Sequence, residues 1–259
     1  MYETYLNIFL PYNYKIALFN ALSFARSTFR DNLCSVTLGG SGGKGNIIEG
    51  WSDLDLYLVL RKYNQNEVSE FVKNISKLDI HIGTTFYTIS EVNYGLIDFK
   101  TKVMCYEKQN YRVNPTVYGK DLFEKVSYDE IKQNDLINLP NILHDFRRRY
   151  INLKNNKNEN VTKSYVKKML VLIKCILNSY ETFSYGYYNS VENLKTIVRV
   201  GGYDLTPIKQ FDILNSIKNM ENSKNDILKF SLFLLNFIEY DYKKRGDKGI
   251  WKKESVQEQ

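Results

Sequence analysis

The sequence predicts an α+β protein: an N-terminal mixed sheet with its helices, followed by an all-helical C-terminal bundle. Three observations predict it. Through the first half, short β-branched or aromatic runs alternate with segments of helical spacing. Beyond about residue 127 only helical spacing remains, in segments too regular for loops and too polar for a membrane. Between two of the predicted strands lies a glycine-rich turn followed by the aspartates Asp53 and Asp55.

The elements follow in order. Residues 12–31 place Ile16, Phe19, Leu22, Phe24 and Phe29 at roughly helical spacing, which predicts a first helix. Leu33–Leu38 reads as a short buried strand and runs into Gly39-Gly40-Ser41-Gly42-Gly43. Asp53–Leu60 alternates acidic or polar with apolar residues, the period of a strand. Residues 65–77 read as a helix that crosses back, and Ile80–Ile89 reads as a further strand. Thr101–Tyr106 is expected to be another. The second half is expected to form helices over 129–154, 161–180, 190–200, 206–220 and 223–244. Thr206-Pro207 supplies a capping hydroxyl and a first-turn proline, Ser223 to Asp226 a weaker capping box, and Gly201-Gly202 a helix stop. Pro140 is expected to kink or divide its helix. The domains are therefore placed at 1–127 and 128–259, without internal repeats and with a frayed tail over the last dozen residues.

Composition narrows the function. The chain has 259 residues, 43% of them apolar, enough for a sizeable core. The longest apolar run of the second half, Met169–Ile173, falls far short of a membrane span, and the first residues lack a signal-peptide pattern. Cys34, Cys105 and Cys175 are odd in number, widely spaced and without CxxC. That pattern fits reduced thiols in a cytoplasm, with the cysteines as small core residues, and argues against a disulfide framework or a structural zinc site. His81 and His144 alone cannot build a multi-histidine metal centre. Residues 1–139 hold 15 basic and 16 acidic side chains, and residues 140–259 hold 21 and 13. A basic half suits phosphates, as on a nucleotide or RNA, and it equally suits a solvated lysine-rich surface.

The chemistry is concentrated in Leu38–Leu56, LGGSGGKGNIIEGWSDLDL. A strand ends in a Gly-Ser turn, a glycine-rich loop with Lys44 follows, and Asp53 and Asp55 stand at i and i+2 on the next strand. That spacing puts both carboxylates on one face. Adjacent carboxylates repel unless a cation lies between them, and hard oxygen donors in this arrangement suit Mg²⁺ bound together with a substrate's phosphates. Gly40 lets a phosphate approach the backbone, Ser41 can donate from its amide and its hydroxyl, and Lys44 adds a point charge.

This order of strand, Gly40-Ser41-x-x-Lys44-Gly45 and Ser52-Asp53-Leu54-Asp55-Leu56 resembles the signature of the polymerase-beta-type nucleotidyltransferase superfamily. Eleven residues separate Ser41 from Asp53, within that family's range. The helical second half resembles the antibiotic-modifying branch, whose acceptors include aminoglycosides and lincosamides. Tyr118-Gly-Lys-Asp-Leu122 is similar to a segment near the end of that branch's catalytic half. The motif covers roughly residues 30–125, and beyond it the resemblance is architectural.

The resemblance implies a protein that moves a nucleoside monophosphate from an NTP, ATP above all, to a hydroxyl of a small molecule. Gly40, Ser41 and Lys44 would hold the triphosphate, and Asp53 and Asp55 would hold one or two Mg²⁺ ions. The acceptor pocket would lie in a cleft between the two domains. An RNA or protein acceptor, as in toxin–antitoxin modules, is the alternative. The basic second half disfavours a polycationic aminoglycoside relative to a neutral or anionic acceptor.

One part of the pattern is missing. The family's third carboxylate falls near Gly83, in a segment, Ile80–Ile89, that contains no acid. Five accounts stay open: Asp79 reaches in from the strand's start, His81 substitutes, the second domain supplies a base, two acids suffice, or the protein binds nucleotide without catalysis. Trp51 is expected to pack beside the site. His144 reads as a surface or core-rim histidine, and Arg147-Arg148-Arg149 as a solvated helical face first and a phosphate clamp second. Lys167, Lys168 and Lys174 lie on one long helix, from which one of them could reach the triphosphate, and Tyr185, Tyr187 and Tyr188 cluster in a loop, for packing first and base stacking second.

Overall fold

The structure, a computed structural model, describes residues 9–156, 160–184, 186–220 and 222–246. Tyr185 and the predicted frayed tail beyond residue 246 lie outside the described residues, as does the N-terminal segment before residue 9. The chain divides into two compact units between Asn134 and Asp135, seven residues beyond the boundary read from the sequence.

The first unit is built on four strands, β1 (Leu33–Gly39), β2 (Leu54–Leu60), β3 (Ile82–Thr88) and β4 (Thr116–Gly119), in the order β3-β2-β1-β4. β1 runs antiparallel to both β2 and β4, and β2 runs parallel to β3, so the sheet is mixed. Parallel neighbours need a crossover. Helix α3 (Gln65–Ile75) provides it, with Asn64 capping the amides of Asn66 and Glu67.

Strand periodicity gives the sheet two different faces. Leu54, Leu56, Leu58 and Leu60 point to one side and pack with Val36, Leu38, Phe71 and Ile75 against helix α1 (Tyr12–Phe29). Phe29, Phe71 and Phe86 meet there at 5.3–6.1 Å between ring centres. Asp55, Tyr57 and Val59 alternate with the leucines and so belong to the opposite face. Helix α1 turns Tyr14, Ala17, Leu18, Ala21, Leu22, Ala25 and Phe29 to the core, while Ile16 and Phe19, two residues that suggested the helix, are exposed. The alanines allow close packing on the sheet, so the buried stripe is less hydrophobic than the sequence implied.

Two further expectations are corrected. Thr101–Tyr106 is not a strand. It lies in helix α5 (Phe99–Tyr111), which follows a one-turn helix α2 (Gly40–Gly43) and a short helix α4 (Ile89–Asn93) in the chain. Asp98 caps α5 by accepting from the Thr101 amide, and the helix buries Thr101, Met104, Cys105 and Glu107. The fourth strand is instead Thr116–Gly119, which includes the first two residues of the Tyr118–Leu122 segment.

The second unit is helical. Helix α6 (Tyr128–Asn155) continues through Pro140 without division, α7 (Lys163–Ser179) buries a broad face, and α8 (Tyr187–Val200) stops at Gly201-Gly202. The stop is a Schellman turn: Tyr203 N–H bonds the Val198 carbonyl at 3.1 Å, Gly202 N–H bonds that of Arg199, and Gly202 has φ +75°. The helix expected over 206–220 is two pieces, a 3-10 turn at Thr206–Ile208 and α9 (Ile213–Lys218), because Asp212 starts a new helix by accepting from the amides of Leu214 and Asn215. Thr206 does not cap; it is the first residue of the turn, and its amide bonds Asp204. Helix α10 (Lys224–Gly246) completes the unit. Among the described residues no helix is long and apolar enough to cross a membrane.

Candidate active site

β1 delivers the Gly-Ser turn and β2 delivers the aspartates to the same end of the sheet. Gly39 pairs with Asp55 across the antiparallel ladder, and Asp55 pairs with Gly83 across the parallel one. The carboxylate of Asp55 is therefore flanked by glycine on both neighbouring strands. Gly40 follows with φ +62°, and a Cβ there would run into Asp55 Oδ2. Only glycine serves at that position, for its backbone angle and for the closeness of the carboxylate.

Behind the turn the loop is firmly held. Asn46 N–H bonds the Ser41 carbonyl at 2.9 Å, and Asn114 N–H bonds that of Gly43 at 2.7 Å. Ser52 Oγ accepts from the Ile48 amide, and the buried Tyr14 hydroxyl donates to the Ser52 carbonyl at 3.0 Å. Asp53 thus follows a residue tied to α1. Trp51 packs here as a buried side chain. Ser41 is half-buried, and among the described residues its hydroxyl has no hydrogen-bond partner, which leaves it available to a ligand.

The structure brings Asp53, Asp55, Gly40 and Ser41 to one end of the sheet. It turns Lys44 elsewhere. The Lys44 ammonium donates to Glu107 Oε1 at 2.6 Å, with the two side chains 12% and 2% exposed. Asn114 donates to the other Glu107 oxygen and to the Met104 carbonyl, both at 3.2 Å. This buried pair pins the glycine-rich loop to α5. Asp55 instead meets Lys100, whose ammonium lies 2.8 Å from Asp55 Oδ1. Lysine spacing in the sequence gave no signal for it.

The third-carboxylate position contains no acid: Gly83 stands beside Asp55. Asp79 and His81 both precede β3 rather than forming part of it, because pairing begins at Ile82. Asp79 is exposed in a bend, with no hydrogen bond or ion pair among the described residues. His81 is held by its carbonyl, which accepts from the Leu54 amide at 3.1 Å, and its Nδ1 lies 3.9 Å from Asp53 Oδ1.

Carboxylates at 53 and 55, with a phosphate's oxygens, fit one Mg²⁺ ion, which commonly takes one or two carboxylates plus substrate phosphates. Among the described residues no group of three or more His, Cys, Asp or Glu side chains gathers for a metal. Asp53 and Asp55 are two hard-oxygen donors, so any Mg²⁺ they hold would have its coordination completed by substrate oxygens and water.

Arg148, Arg149 and Lys168 converge on one carboxylate. Asp145 receives Arg148 at 2.8 Å and Arg149 at 3.0 Å, with Lys168 at 3.4 Å, and these cations hold its carboxyl down at about 2. His144 is exposed. Cys105 and Cys175 are buried free thiols, as expected, and burial pushes Cys105 up to about 12; Cys34 is only half-buried.

No protein-family model and no curated protein matches the chain. Among solved structures the chain is similar to the crystal structure of spectinomycin adenyltransferase AAD(9) from Enterococcus faecialis with ATP and spectinomycin. The TM-score is 0.57 at 13% identity, over 85% of this chain and 97% of that one. At that identity the likeness is one of fold.

Proposed function

We propose that the chain is a nucleotidyltransferase of the polymerase-beta type, moving a nucleoside monophosphate from an NTP, ATP first, to a hydroxyl of a small molecule. The observation that carries the reading is Asp55, held between the Gly39-Gly40 turn and Gly83, with Asp53 two residues away on the same strand parity. The likeness of fold to an adenyltransferase solved with ATP supports it.

In this reading the Ser41 amide and hydroxyl and the open backbone of Gly40 receive the triphosphate. Asp53 and Asp55 would hold Mg²⁺, which when bound neutralises phosphate charge and orients the reacting groups. The acceptor's oxygen forms a bond to the α-phosphorus. The bond from that phosphorus to the oxygen bridging the β-phosphate breaks, and pyrophosphate leaves with the electron pair. The acceptor's proton passes to a base; within the chain, His81 beside Asp53 and Asp79 in the preceding bend are the candidates. An antibiotic is the acceptor class that the neighbour's spectinomycin suggests.

The decisive experiment incubates the full-length protein with labelled NTPs, Mg²⁺ and a panel of hydroxyl acceptors. Pyrophosphate release and label on the acceptor are expected. Gly83, where a further acid would stand, favours a second reading: a nucleotide-binding protein without transfer. NTP binding with no pyrophosphate released on any acceptor would select it.

A further inference from the structure

The two oxygens of Asp55 face different neighbours. Oδ2 lies against the Gly40 turn, while Oδ1 lies 3.1 Å from where a Cβ on Gly83 would stand. The Lys100 ammonium binds that second oxygen. A carboxylate carried by position 83 would point to the same place. The chain has no side chain there and puts a positive charge beside the vacancy instead.

Lys100 is held in place by a built anchor. It is the second residue of α5, and the start of that helix is tied to β3. Asp98 Oδ2 accepts from the Tyr87 hydroxyl at 2.6 Å, Asp98 Oδ1 accepts from the Thr101 amide at 2.9 Å, and the hydroxyls of Tyr87 and Thr101 are 2.9 Å apart. Tyr87 belongs to β3, the strand next to Asp55's own. The ammonium also stands 5.9 Å from the ring centre of Tyr57, which shares Asp55's face of β2. Its side chain is 63% exposed, and an ammonium has three donors, so it can serve Asp55 and a ligand together.

We propose that Lys100 is the resident second cation of this site: its ammonium binds the nucleotide's phosphates beside a single divalent ion. The inference rests on the reading of Asp53 and Asp55 as a nucleotide's metal ligands. Charge supports it: one divalent ion and the Lys100 ammonium set three positive charges against the two carboxylates, which leaves a net positive charge to face a nucleotide's phosphates. Gly83 and Lys100 are then one device, with the missing acid matched by a fixed cation.

The test uses the full-length protein and α,β-methylene-ATP, which binds without transfer. Mn²⁺ bound per protein-held nucleotide is counted by electron paramagnetic resonance, and affinity is measured by calorimetry. Wild type should hold one Mn²⁺ per bound nucleotide. Lys100→Met should weaken the analogue by about tenfold or more, the loss expected of a charge-assisted hydrogen bond, and Lys100→Arg should retain most of the affinity. The thermal midpoint of Lys100→Met should stay close to wild type, because an exposed ion pair contributes little. Two Mn²⁺ per nucleotide in wild type, or unchanged affinity in Lys100→Met, would overturn the role of Lys100 and leave the aspartates' role standing. Mn²⁺–analogue affinity unaffected by Asp55→Asn, or no binding in wild type, would remove the underlying reading and Lys100's role with it.

Discussion

Replacing Glu107 by alanine removes the acceptor of a nearly dry ammonium. Glu107 is 2% exposed and Lys44 12%, and they meet at 2.6 Å. Breaking a buried pair by deleting one partner costs about 3–5 kcal/mol, because the other charge stays behind uncompensated. Two features place this case near 3 kcal/mol. The lysine stem can carry the ammonium part of the way to water. Asn114, which bonds Glu107, also carries an Oδ1 that is buried and without a donor among the described residues, an unused acceptor next to the pair. At about 2–4 °C per kcal/mol, the midpoint should fall by roughly 6–12 °C. The double variant Lys44→Met/Glu107→Leu should recover most of that loss, since an apolar pair replaces both charges. Urea and thermal unfolding of wild type, both single variants and the double variant give the coupling energy. The reasoning fails if Glu107→Ala costs less than about 1 kcal/mol. It also fails if the double variant is as stable as wild type yet binds α,β-methylene-ATP tenfold more weakly. Lys44 would then be chiefly a phosphate ligand, as its place in the loop suggested.

Asp53→Asn and Asp55→Asn should each abolish Mg²⁺-dependent pyrophosphate release while leaving stability within about 1 kcal/mol, because the ion pairs with His81 and Lys100 are partly exposed; near-wild-type turnover in either would refute the metal-ligand reading. Gly40→Ala should reduce both stability and nucleotide binding, since its φ of +62° disfavours a side chain and the added Cβ meets the Asp55 carboxylate; a variant with wild-type calorimetry would show that the turn tolerates a side chain. Burial raises the Asp135 carboxyl above its ordinary value, with the Asn178 bond opposing. Its contribution to stability is therefore greatest below the unfolded carboxylate value and is lost as pH rises through the folded one. Unfolding free energies across that range should show wild type losing stability with rising pH relative to Asp135→Asn; a flat difference would contradict the burial effect.

Much of the fold was legible because its signals are local. β1, β2, β3 and α3 fall close to where alternation and helical spacing placed them, since each pattern is complete within a dozen residues. α5 escapes local patterning for a physical reason. Thr101–Tyr106 is a short β-branched and apolar run, and only the longer segment through Tyr111 shows helical burial, at Thr101, Met104, Cys105 and Glu107. That stripe contains a glutamate, and sequence patterning assigns glutamate to the solvent. The exposure of Ile16 and Phe19 is the complementary case, because the alanine face of α1 outcompetes larger residues where the helix packs close to the sheet.

The same glutamate explains why the cations of the site were only half legible. Sequence spacing places Lys44 beside the aspartates because it sits between Ser41 and Asp53 in the chain, and chain proximity is the only distance a sequence carries. In the fold, Glu107 competes for that ammonium from more than sixty residues away and holds it in a buried pair. Asp55 is left to the next cation that tertiary structure supplies. Lys100 reaches it because β2 and β3 pair in parallel and because Asp98, Tyr87 and Thr101 fix where α5 begins. None of those three residues resembles a site residue in the sequence; each works through the position it gives another group. The aspartates and the Gly-Ser turn could be found from spacing because one hairpin carries them. The charge opposite them could not, because three separate elements must pack before a lysine 45 residues from Asp55 comes within hydrogen-bond distance.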